Sequence, residues 1–395
     1  MSTPKASAAA VPAPAGASAR SVAPEAPPRA TSVWKDPEDQ LLLSVARFTC
    51  GTNPKQVAFT PDGKELWVTL LRGHGIEVFD PLDGERLAQI TLGNRGAVEI
   101  VFTRDGLTAY ASQMTTARVY EIDRAARSVR RIIETGGSWT KVLALSADER
   151  TLFAANWVSS DVSVIDLARG RKVKLLRTVT TPRGLYPTRD GRRLFVAGYA
   201  KGEIQVIDLD TSERRVLLAT GGQMRHMVAD EAAGKLYVDD MKHGRVYSVN
   251  LESEAVHELA TTNNRPNTLD LSPDGKVLYV SNRGKNGRSY YYPGPEWGSV
   301  LAIDTATGKV LDAIVSGNQT TGLDASPDGK LLAFSDFMDN RIRVHAVPDY
   351  ALLQAGRGGR ALSHFADLAK GRRAGANRTS GALTTRSATA SGLAR

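Results

Sequence analysis

Apolar residues in this chain come in short blocks, separated by clusters of Asp, Gly, Pro and Ser. Many blocks alternate apolar with polar positions, as in Ile76-Glu-Val-Phe-Asp80, Val162-Ser-Val-Ile-Asp166 and Ile204-Gln-Val-Ile-Asp208. A period of two places alternate side chains on opposite faces of a strand, and almost no window shows the 3.6-residue period of a helix. The pattern therefore predicts many short β-strands. Pro-Asp-Gly or Arg-Asp-Gly turns separate the first strand from the second in five of the groups. Gly63, Gly106, Gly191, Gly275 and Gly329 provide the positive φ that such turns need, and the preceding Asp can bond the turn backbone.

The strand pattern repeats. Val57–Val68, Leu269–Val280 and Leu323–Phe334 are near copies, and weaker copies run Ile100–Ala111, Leu143–Ala154, Leu185–Val196 and Met227–Val238. Seven units follow: 51–93, 94–136, 137–179, 180–221, 222–261, 262–317 and 318–356. Six are 39–43 residues long and the sixth has 56. A period near 40 built of strands predicts an all-β, seven-bladed β-propeller, because one four-stranded blade cannot bury both faces without neighbours. The ring must also close. Leu41–Phe48 is expected to join blade seven beside Arg341–Ala346, with Tyr350–Ala355 as the competing closing strand.

The second strands Leu66-Trp-Val-Thr-Leu70, Leu152-Phe-Ala-Ala-Asn156 and Leu278-Tyr-Val-Ser-Asn282 resemble the YVTN β-propeller repeat family. That resemblance extends over all seven units. It implies a relative of exported bacterial or archaeal propellers, in the periplasm or outside the cell. Similar propellers include lactonases, the haem d1 domain of nitrite reductases and amine dehydrogenase subunits. The repeated residues build blades, so the resemblance leaves the function open.

Function is expected on the face where the loops leading into the innermost strands meet those joining strands two and three. Aligned on their turns, the units place Lys55, Val98, Lys141, Arg183, Arg225, Asn267 and Thr321 at the start of the innermost strand. Four cations at a channel mouth favour an anionic ligand, with Arg183 and Arg225 suited to carboxylate or phosphate. Pairing of these cations with nearby carboxylates is the alternative. The connecting loops add Trp157, Tyr199, Asn282, Arg283 and Asp336. The extra length of unit six lies in Gly284–Gly298, whose Tyr290, Tyr291, Tyr292 and Trp297 read as a structured flap over the mouth, with a plug packed on the neighbouring blade as the equal alternative. His226 with Glu99 or Asp239 could form an acid/base pair, giving a lactonase-like hydrolase or an isomerase as the competing reading. No cofactor is expected. Haem d1 or a metal ion on the isolated histidines is a remote alternative.

Composition changes the picture at the ends. Of 395 residues, 42% are hydrophobic and 24% charged, which excludes a wholly disordered chain. The single Cys50 excludes an intramolecular disulfide and any cysteine-cluster metal site. Residues 1–32 are rich in Ala, Pro and Ser and are expected to be a disordered leader; they do not read as a signal peptide. The propeller is assigned to 33–356 and a basic disordered tail to 357–395. Net charge is +9, but Gly356–Arg395 holds eight basic residues against Asp367 alone, a net +7. The propeller itself is thus nearly neutral, which argues against specific nucleic-acid binding. No apolar run approaches the roughly 18 residues of a membrane span. The expected partners are a small anionic molecule, a glycan or a protein at the top face of a monomer.

Overall fold

The computed structural model describes residues 36–356 and 359–370. The expected leader lies outside the described residues, as do 371–395 of the expected tail. Seven antiparallel sheets of four strands each form a seven-bladed β-propeller. Blade one is typical. Pro54–Phe59 is innermost, followed outward by Leu66–Leu70, Gly75–Phe79 and Arg86–Thr91. The second strand of blade one is buried along its whole length. This explains its continuous apolar run: both of its faces pack on neighbouring sheets.

Seven apolar clusters fill the seven junctions between blades. Trp67, Ile76 and Val78 of blade one meet Ala109, Tyr120 and Ile122 of blade two. Ala333, Ile342 and Val344 of blade seven meet Val57, Leu66 and Phe79 of blade one. The turns follow the sequence pattern, with φ of 68° to 72° at the five turn glycines. Blade three lacks the glycine, and Glu149 takes the left-handed conformation at φ 55° instead.

The ring closes as expected. Leu43–Thr49 pairs antiparallel with Arg341–Ala346, with Ser44 opposite His345 and Phe48 opposite Ile342. Asp312 Oδ2 accepts the N–H groups of Leu41 and Leu42 at 2.9 and 2.8 Å, fixing the chain as it enters this strand. The competing segment is a helix, α1 (Tyr350–Ala355). Its Ala-Leu-Leu-Gln-Ala run favours helix, and Leu353 is buried against blades six and seven.

Part of the segment expected as disordered tail is folded. Helix α2 (Gly359–Asp367) docks beside the outer strand of blade six, burying Arg360, Ala361 and His364. His364 Nε2 meets the Asn263 side-chain amide, and Trp297 N–H donates to Leu368 O at 2.7 Å. Composition missed this helix because its stability comes from docking, not from its own apolar content.

Candidate functional site

The innermost strands carry a repeated irregularity. In six blades the register against the second strand breaks at the start of the innermost strand. The broken positions include Lys55, Lys141, Arg183 and Arg225. A bulge of this kind re-aims a side chain away from the pleat. Asn53, Trp139, Thr181, Arg265 and Gln319, two residues ahead of the broken positions, take positive φ between 55° and 64°. The chain therefore enters each of these strands through a tight left-handed step.

The result is a cluster of cations from five blades. The field at Lys55 comes from Arg225, Arg183, Arg283 and Lys141. Residues of blades one, three, four, five and six meet in this way only across the central axis. Lys55, Arg183, Arg225 and Arg283 are each 7% exposed or less. Among the described residues, none of these five cations forms an ion pair, whereas Arg343 does, with Asp336. Arg225 Nε donates to Asn267 O at 2.8 Å. Arg183 Nη1 and Arg283 Nε are buried with no hydrogen-bond partner.

Burial and mutual repulsion shift the ionisation of the whole cluster. Burial first, then Arg225 and Arg183, press the Lys55 ammonium well below its ordinary range. Burial and the same two arginines bring Lys141 down to about 6. Burial and Arg225 lower Arg183 to about 10, although Glu99 partly opposes them. Burial raises Glu99 to about 7 against the pull of Arg183 and Lys55. It likewise raises Asp239 to about 7, against its bond from the His226 N–H and the Arg225 charge.

Aromatic groups surround the cations. Lys141 Nζ lies 3.6 Å from the Trp157 ring centroid, and Trp157 packs on Tyr199 at 4.7 Å. The flap crosses the mouth from blade six to blade one, where Arg72 covers the Tyr291 ring at 3.8 Å. Tyr290 meets the basic side chains directly. The Arg283 guanidinium lies 4.0 Å over its ring, Phe337 meets it edge-on at 5.5 Å, and Lys55 Nζ donates to its hydroxyl at 3.4 Å. Gln319 Nε2 holds the flap by donating to Tyr290 O and Tyr292 O at 2.9 and 3.1 Å.

Several expected site residues lie elsewhere. Asp336 is fully buried; it pairs with Arg343 at 2.8 Å and accepts from Ser316 Oγ and the Gly317 N–H. It ties the loop from blade six to blade seven. Asp240 and Asn156, which end the same strand in their blades, likewise bond Thr220 and Thr140. Asn282, at the corresponding place in blade six, is buried and donates to Val280 O of its own strand. Trp297 turns outward: its indole N–H donates to Lys370 O at 2.8 Å beyond α2. Tyr292 is 43% exposed, with the Arg288 guanidinium over its ring.

The expected acid/base pair takes a different form. Asp239 Oδ1 accepts the backbone N–H of His226 at 2.5 Å, not its imidazole. The imidazole Nδ1 accepts the Leu269 N–H at 3.3 Å. Burial, Arg183, Arg225 and Lys55 lower His226 to about 3, so the ring is neutral near pH 7 and has no proton to spare as an acid. Among the described residues, no group of three His, Cys, Asp or Glu side chains could hold a metal ion. Gln319 is a functional neighbour missing from the sequence-based set. Phe337 follows directly on Asp336 in a connecting loop, whereas Gln319 is marked only by its place ahead of an innermost strand.

Comparison with known proteins places the chain in a family. Antigen Lp49 of Leptospira interrogans serogroup Icterohaemorrhagiae serovar copenhageni (strain Fiocruz L1-130) is 32% identical over 314 residues, covering 76% of this chain and 69% of that protein. The chain belongs to the Antigen Lp49 family. A shorter match, 27% identical over 172 residues, joins this Lp49-family chain to methanethiol oxidase of Xenopus tropicalis and spans 35% of that protein. The solved hydrazine synthase of Kuenenia stuttgartiensis is similar in fold, with a TM-score of 0.64 at 18% identity over 75% of this chain and 96% of that one. At that identity the likeness concerns the propeller alone. No family model matches the sequence, so the YVTN resemblance rests on the strands quoted for it.

Proposed function

We propose that this propeller is a binding module that captures a small anion at the top-face mouth of its channel. One observation carries the reading: five basic side chains converge there without ion pairs, and Arg183 Nη1 and Arg283 Nε are buried with no acceptor. An isolated buried charge costs several kcal/mol, so a carboxylate or phosphate oxygen is the natural complement. The aromatic wall formed by Trp157 and Tyr199 lowers the local dielectric and strengthens that attraction. The acid/base alternative finds less support, because the His226 imidazole contacts backbone and not a carboxylate.

The test is calorimetric titration of the full chain with inorganic phosphate, acetate and citrate, beside an Arg183→Met/Arg225→Met variant. At least one anion should bind the native protein, with affinity tenfold or more weaker in the variant. Equal binding by both proteins, or binding of no anion by the native chain, would refute the reading.

A further inference from the structure

The flap shows what kind of anion the mouth fits. Tyr290 is a half-buried flap residue, and its ring occupies a slot with one guanidinium face and one aromatic edge. Arg283 lies 4.0 Å above the ring and Phe337 stands edge-on at 5.5 Å. Its hydroxyl accepts from Lys55 Nζ. The charges that bear on that phenol are Arg283, Arg225 and Arg183, the same arginines that lack carboxylate partners. Burial would raise the phenol, yet these three cations bring it below its ordinary value. The hydroxyl therefore sits where negative charge is stabilised.

The flap is anchored through its backbone and not through that ring, and Gln319 Oε1 also accepts from Arg283 Nη2. Gln319 holds it through the carbonyls of Tyr290 and Tyr292, and Glu296 pairs with Lys285 at 3.2 Å and accepts from Asn264 Nδ2 at 2.7 Å. The Tyr290 side chain can thus leave the slot while the flap base stays in place. A ring with a para oxygen, stacked under a guanidinium and directed at buried cations, is the shape of an aromatic acid.

We propose that Tyr290 is a built-in stand-in for the ligand, and that the mouth takes an aryl anion, an aromatic ring bearing a carboxylate or phosphate, in the place of its side chain. This rests on the anion-binding reading. A guanidinium is attracted to an aromatic face, so the ring adds selectivity to the charge attraction. The site is held partly closed by its own tyrosine, and an aryl anion must displace it.

The probes are phenyl phosphate and inorganic phosphate, titrated into the native chain, Tyr290→Ala and Tyr290→Phe. Emptying the slot with Tyr290→Ala should tighten phenyl phosphate at least tenfold over the native chain and change inorganic phosphate less than threefold. Tyr290→Phe keeps a ring in the slot and should leave phenyl phosphate within threefold of native. Equal gains for both probes, or weaker phenyl phosphate in Tyr290→Ala, would overturn the inference while leaving anion binding intact. Loss of all phosphate binding in every protein would instead remove the anion reading, and this inference with it. A readout on the native chain covers a variant that does not fold. Nitration of Tyr290 by tetranitromethane, followed by mass spectrometry with Tyr292 as internal reference, should rise when phenyl phosphate is added. Unchanged nitration at saturating phenyl phosphate would contradict displacement.

Discussion

Replacing Arg183 with methionine should make the ligand-free protein more stable, an unusual result for a buried residue. Arg183 is 5% exposed and its Nη1 has no acceptor. Its lowering from 12.5 to about 10 corresponds to roughly 3 kcal/mol against the charged form. Because the folded value lies below the unfolded one, that penalty is present in full wherever both states are charged, including pH 7. Methionine fills similar volume without charge. Water in the channel reduces the effect, so the expected gain is about 1–3 kcal/mol. At about 2.1 cal/mol/K of unfolding entropy per residue over roughly 330 folded residues, this raises Tm by about 1–4 °C. The assay is thermal unfolding with and without inorganic phosphate at fixed ionic strength. The native protein should gain Tm with phosphate, by the equivalent of about 2.7 kcal/mol at 100 times Kd. Arg183→Met should start higher and gain far less. A variant that is less stable without phosphate, yet responds to phosphate like the native chain, would show that Arg183 is a structural residue and refute the argument.

Two further outcomes follow from the same geometry. Glu99 and Asp239 have folded values raised to about 7 from 4.5 and 3.8, so the folded state holds more protons and stability falls as pH rises from about 4 to 7. Glu99→Gln and Asp239→Asn should flatten that slope in urea unfolding measured across the window; an unchanged slope would count against these assignments. Asp336→Ala removes the buried carboxylate that pairs with Arg343 and accepts from Ser316 and Gly317, and should cost about 3–5 kcal/mol in urea unfolding. Its folded fraction should still bind phosphate with native affinity, since Asp336 braces a loop and does not face the cations.

The propeller was legible because its determinants are local and repeated. Alternation within strands, the Asp-Gly turns and the 40-residue period each recur seven times or nearly so. Lys55, Lys141, Arg183 and Arg225 could be aligned for the same reason: each follows a fixed distance ahead of a turn. Other features depend on contacts that no local pattern encodes. Asn282 and Asp336 end buried second strands, where Asn282 bonds its own strand and Asp336 braces the neighbouring loop. Trp297 looked like its tyrosine neighbours until α2 supplied a docking partner. The role of Gln319 requires the flap to fold across onto blade seven. His226 had the right neighbour in Asp239 but the wrong atom, because the bulged strand presents its backbone N–H to the carboxylate.

The central claim is that the unpaired cations at the mouth form an anion seat. Crystals of the full chain soaked in bromide test it most directly, because anomalous scattering locates the ion without assuming a ligand. The account predicts a strong peak within hydrogen-bond distance of Arg183 Nη1, on the Arg225 and Arg283 side of the mouth. Bromide peaks confined to the outer surface, with no peak at the mouth, would contradict it.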